Sequence, residues 1–144
     1  MGIRVWHVAR AEYHKDVAEH LRRETEFEDW ALVALYYSAL HLVDSVLADD
    51  PDLPKDERNP RKHSGVKPGQ RGRNQLVGKL FPFAPRKAYR SLEDLSRRTR
   101  YDCEALKSND ARKAYDLALD QWREVDRYAR MMHIARPPIP SEAP

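Results

Sequence analysis

At 144 residues and 16.9 kDa the chain has the length of about one domain, with 41% hydrophobic and 34% charged residues and a net charge of +3. The single cysteine, Cys103, excludes an internal disulfide and a zinc site built on several thiolates, and a mean hydropathy of −0.83 speaks against a membrane protein. The start Met1-Gly2-Ile3-Arg4-Val5-Trp6-His7 lacks an apolar leader, so a cytoplasmic location without membrane contact is expected.

Residues 3–50 and 86–136 contain neither proline nor glycine, so both blocks can hold long helices. In the first block Tyr13, Val17, Ala18 and Leu21 recur at helical spacing and predict a helix over about residues 8–24. A second runs from about Phe27 to Ala48. Phe27, Trp30, Ala34, Tyr37, His41, Asp44 and Leu47 share one side of it, and Leu35, Leu40, Leu42, Val43 and Val46 cover much of the rest. A helix apolar nearly all round packs against several neighbours, and His41 and Asp44 in mid-span favour a protein core over a bilayer. Asp49-Asp50-Pro51 ends it. A shorter helix is expected over Arg73 to Leu80, with Leu76, Val77 and Leu80 inward. After Pro85 the spacing of Tyr89, Leu92, Leu95, Thr99, Cys103 and Leu106 marks the next helix. Ser108 or Asn109 can cap a last one carrying Ala111, Ala114, Tyr115, Ala118, Trp122, Val125, Ala129 and Met132. The proline-rich tail, 136–144, is expected to be disordered. No period-two alternation predicts a strand. The expected fold is all-α, an up-and-down helical bundle of four to five helices over residues 1–135.

Charge is unevenly placed. Between Arg58 and Arg90 there are ten Lys or Arg and no Asp or Glu, which leaves 16 basic against 23 acidic residues elsewhere. Concentrated like charge repels itself, and nucleic-acid phosphate can relieve that cost. A solvated basic loop is the other reading.

Three elements then fall in a recognisable order. Tyr36-Tyr37-Ser38-Ala39-Leu40-His41-Leu42-Val43-Asp44-Ser45-Val46-Leu47 resembles the second helix of HEPN (higher eukaryotes and prokaryotes nucleotide-binding) domains. Lys62-His63-Ser64-Gly65-Val66 resembles the family's Lys-Thr-His-Ser-Gly-Val element. Ser96-Arg97-Arg98-Thr99-Arg100-Tyr101-Asp102 resembles its Ser-Arg-x-x-Arg-Tyr element. The resemblance implies a bundle of four or five helices, a symmetric homodimer, and an RNA- or nucleotide-binding protein. It extends to a metal-independent ribonuclease or a toxin–antitoxin component paired with a nucleotidyltransferase. Ribonuclease members carry an arginine followed four to six residues later by a histidine on the fourth helix. Here Arg97, Arg98 and Arg100 precede no histidine before His133, Arg73-Asn74 leads to Gly78, and Arg58-Asn59-Pro60-Arg61-Lys62-His63 has the spacing in a Pro-containing loop. The alternative is therefore a non-catalytic interaction or dimerisation module.

RNA cleavage without metal needs a general base, a general acid and cations for the phosphorane charge. His63 is the histidine inside the basic segment, and with Arg58 and Arg100 it forms the catalytic candidate set; a helix-capping role is the bland reading. Arg61, Lys62, Lys67, Arg71, Arg73, Asn74, Arg97 and Tyr101 are the candidate phosphate or nucleic-acid contacts, with the Tyr101 ring available for stacking. Tyr36 is expected to face a cleft or a dimer partner. His41 and Asp44, three residues apart, read as a polar core pair. A small-ligand bundle is the third reading, and it requires a pocket around Tyr37, His41 and Asp44. His7, His14 and His20 at spacings of seven and six do not suggest a ligand set, so neither metal nor cofactor is expected.

Overall fold

A computed structural model describes residues 2–23, 27–60, 67–101 and 108–139. Five α-helices, α1 (Ile3–Arg23), α2 (Glu28–Ala48), α3 (Arg73–Leu80), α4 (Phe83–Tyr101) and α5 (Ser108–Ala135), pack as a helical bundle, with no strand among the described residues. A 3₁₀ turn, Lys55–Glu57, lies between α2 and α3.

The central element is α2, as its composition predicts. Of its 21 residues 17 are buried, and α1, α4 and α5 all pack on it. By length and composition α2 could cross a membrane, but 89% of its apolar stretch is covered inside the bundle. Small residues let α1 approach: Ala11 and Ala18 are buried, and Ser38 of α2 donates to the Ala11 carbonyl at 2.8 Å while accepting from Trp122 Nε1 of α5 at 2.9 Å. That hydroxyl joins three helices at one buried point.

The acidic end of α2 opposes the helix dipole and needs cations. Arg4 of α1 meets Asp49 at 2.6 Å, Arg136 meets Asp50 at 3.2 Å, and the Ile139 amide donates to Asp49 at 3.0 Å. The start of the tail, 136–139, thus folds back on α2, and 140–144 lie outside the described residues.

Two boundaries differ from the sequence expectation. α1 begins at Ile3 rather than near residue 8. α4 begins at Phe83, with Pro85 in its first turn, where a missing amide proton costs no helical bond. The α5 stripe holds as spaced: Ala111, Tyr115, Ala118, Val125 and Ala129 are all buried.

Candidate functional site

The basic segment divides in two. In its first half, the described cations Arg58, Arg71 and Arg73 turn to partners within the fold. Arg58 donates to the Leu53 carbonyl at 2.9 Å. Lys67-Pro68-Gly69-Gln70 closes as a turn, with Gly69 at φ 78 and the Gln70 amide on the Lys67 carbonyl, so this stretch is no open phosphate cradle. Arg71 then grips Glu57 through its backbone amide and guanidinium, down to 2.7 Å, and holds that carboxyl below its usual range. Arg73, expected among the phosphate contacts, is 5% exposed. Its guanidinium binds both Asp44 oxygens at 2.7 and 2.8 Å and the Pro60 carbonyl at 2.7 Å. A carboxylate inside an apolar helix requires a counter-charge, and Arg73 supplies it. Asn74 donates to Glu93 at 3.2 Å, and Lys67 is exposed. Arg61, Lys62 and His63 lie outside the described residues.

The second half lies on the outer face of α4, where Lys87 and Arg90 are exposed and Arg86 is half-buried, donating to the Gly78 carbonyl at 2.9 Å. Phe83, Arg86, Lys87, Arg90, Asp94, Arg97, Arg98 and Tyr101 recur at steps of three and four, which places them on one helix face. Phe83 is 67% exposed and Tyr101 75%, so an aromatic stands at each end of a stripe roughly 27 Å long. Five cations lie between them. Arg86, Lys87 and Arg90 line a cleft of about 510 Å³ with Gly78 of α3, and Arg86 and Lys87 stand 5.9 and 5.8 Å from the Phe83 ring centre. Arg97 meets Glu93 at 3.4 Å and Arg98 meets Asp94 at 3.5 Å, both arginines well exposed. Exposed pairs of this kind contribute about 0–1 kcal/mol, so a phosphate can compete for the arginines. Arg100 lies beside the stripe, donating to Tyr37 Oη at 3.4 Å with its guanidinium 5.2 Å from the Tyr101 ring centre.

A second feature is a histidine cleft of about 560 Å³ between the start of α1, the middle of α2 and the 59–60 loop. His41 and Asp44 both line it, as the small-ligand reading requires, although Tyr37 does not. Asp44 is held by Arg73, while His41 Nδ1 lies 3.0 Å from His7 Nδ1. The pair read from the sequence is thus part of a larger cluster. His14 stacks on His41 at 5.5 Å, and Trp6 presents its edge to both His7 and His41. Burial, with His7, His14, Arg10 and Arg73 nearby, pushes the His41 imidazole down to about 3, so it is neutral at ordinary pH.

Tyr36, expected at a cleft or dimer face, is 1% exposed; it packs beside Tyr89 and donates to Glu93 at 3.4 Å, and burial pushes its hydroxyl up to about 12. The catalytic candidates do not come together among the described residues: Arg58 is spent on loop carbonyls and Arg100 on Tyr37. Sequence reading left Phe83 outside the helix because it started the helix after Pro85, and it counted Arg86, Lys87 and Arg90 in the basic segment without naming them as contacts; counted from Phe83, their spacing continues into Arg97 and Arg98. It also missed His7 and His14, whose seven-residue separation is two turns of one helix face. Comparison with protein-family models, with curated proteins and with solved structures finds no match for this chain.

Proposed function

We propose that the protein is a HEPN-like bundle that binds RNA, as a single strand, along the outer face of α4. The supporting observation is the stripe of five cations between two exposed aromatics. Single-stranded RNA offers a row of phosphates and unstacked bases, and it is bound by combining a positive track with rings on which bases stack. The groups at Arg86 and Lys87, Arg90, and Arg97 and Arg98 succeed one another along the helix, matching a repeating anion. Tyr101 and Phe83 cap the two ends. Arg97, Arg98 and Tyr101 of the HEPN-like Ser96–Tyr101 element lie on this face, whereas Ser96 is buried beneath it.

The reading is tested by fluorescence anisotropy of a labelled short single-stranded RNA. Affinity should fall with salt between about 50 and 300 mM, with a log–log slope of roughly −2 to −3, since each neutralised phosphate releases counterions. Lys87→Glu combined with Arg90→Glu should weaken binding about tenfold and flatten the slope. Binding that is flat in salt, or unchanged in the double variant, overturns it. Binding of ADP with none of RNA would narrow the ligand to a nucleotide. Loss of intact RNA with wild type but not with His63→Ala would add cleavage to binding.

A further inference from the structure

We propose that His7, His41 and Asp44 form a binding site for one divalent transition-metal ion, independent of the α4 face. One ligand atom from each residue lies within 4.8 Å of the others. His7 and Asp44 are buried and His41 is half-buried, so the three ligands sit in a protected position with the cleft open beside them. His41 and Asp44 project from one face of α2 at a spacing of three, and His7 meets them from α1.

The hydrogen bonds orient the donors. His7 Nε2 lies 3.1 Å from Asn59 Oδ1, and that oxygen can only accept, so Nε2 carries the His7 proton. The His7 Nδ1 lone pair therefore points at His41 Nδ1, 3.0 Å away. Either a His41 proton or a cation must lie between two such atoms. A metal-ligating histidine characteristically donates its second ring nitrogen to an oxygen in this way. At metal–nitrogen distances near 2.0–2.1 Å, a 3.0 Å separation subtends an angle of roughly 95° at the metal. That is a cis pair in an octahedral or tetragonal sphere. Two histidines and one carboxylate on one side, with the remaining positions open, suit ions such as Co²⁺, Ni²⁺ or Fe²⁺. Arg73 orients the Asp44 carboxylate through a bidentate pair, and its charge weakens the affinity.

The test uses the full untagged chain, stripped with chelator and titrated with Co²⁺ by calorimetry and visible absorption. One equivalent should bind, with ligand-field bands characteristic of imidazole coordination. His7→Gln and His41→Gln should each lower the affinity at least tenfold, Asn59→Ala about tenfold through misorientation, and His20→Gln not at all. Helical circular dichroism verifies that each variant folds. A measurement on wild type alone removes dependence on the variants: Co²⁺ should broaden the His7 and His41 imidazole signals in NMR before those of His20 and His133. Absence of binding, equal uptake by the His7→Gln/His41→Gln double variant, or broadening that begins at His20 or His133 overturns the assignment.

Discussion

Asp44 and Arg73 show how a single charged residue in a core helix dictates its surroundings. Asp44 is 2% exposed and Arg73 5%, and the two are joined by a bidentate pair. A buried ion whose partner is removed costs about 3–5 kcal/mol, while replacing both ions by apolar groups costs far less. Asp44→Asn should therefore lower the unfolding free energy by about that amount in urea titration. Arg73→Met with Asp44→Leu should lose less than either single change, and additive losses would argue against the pairing. Asp44 was legible in the sequence as a polar residue needing a partner. Its partner was not: helical periodicity names neighbours three or four residues away, whereas Arg73 lies 29 residues on, beyond an irregular loop. The same blindness assigned Arg71 and Arg73 to phosphate, because a count of charge cannot tell which cations the fold will spend on Glu57 and Asp44.

At the scale of helices the sequence was more informative, because bundle helices bury stripes and stripes are periodic. The α5 stripe and the all-round apolarity of α2 translate directly into burial. What failed were the ends, where proline was read as a barrier although a first turn accepts it, and that error left Phe83, the aromatic at one end of the α4 face, outside the helix. Helix α3 offers a test of local preference. Gly78 sits inside this eight-residue helix, and a Cβ built there comes 2.8 Å from Arg90 Nη2, the far end of a flexible side chain. Glycine costs a helix roughly 0.5–1 kcal/mol relative to alanine. Gly78→Ala should thus stabilise the protein by up to about that amount in thermal melts, with Arg90 swinging aside. A net loss would show instead that Arg90 is held firmly at the cleft.

For the whole molecule, the pattern is a bundle whose acids and bases are paired inside and at the helix ends, while one outer helix face keeps its cations toward solvent. That division is invisible in a net charge of +3 and requires the fold. Pairing also sets the response to acid, in two separate windows. His133 of α5 shares a 2.9 Å hydrogen bond with Ser45 of α2. Burial first, then Arg4 and Arg130, lower its pKa from 6.5, against the opposing pull of Asp49 and Asp126. Below 6.5 the unfolded chain takes up a proton that folded His133 refuses, so its contribution is complete above that pH and is lost as pH falls. Glu57 is lowered from 4.5, chiefly by its hydrogen bonds from Arg71, so its stabilisation begins to fail only below that pH. Urea midpoints of wild type should therefore already decline between about pH 6.5 and 5, before the carboxylates titrate. His133→Gln, which keeps a group able to bond Ser45, should make that upper part of the profile shallower without abolishing it, because His14 and His41 are lowered from 6.5 as well, and should leave the lower part in place. Identical slopes in the two proteins over the upper window would mean that His133 accepts its proton as readily folded as unfolded, and that the contact with Ser45 does not depend on a neutral ring.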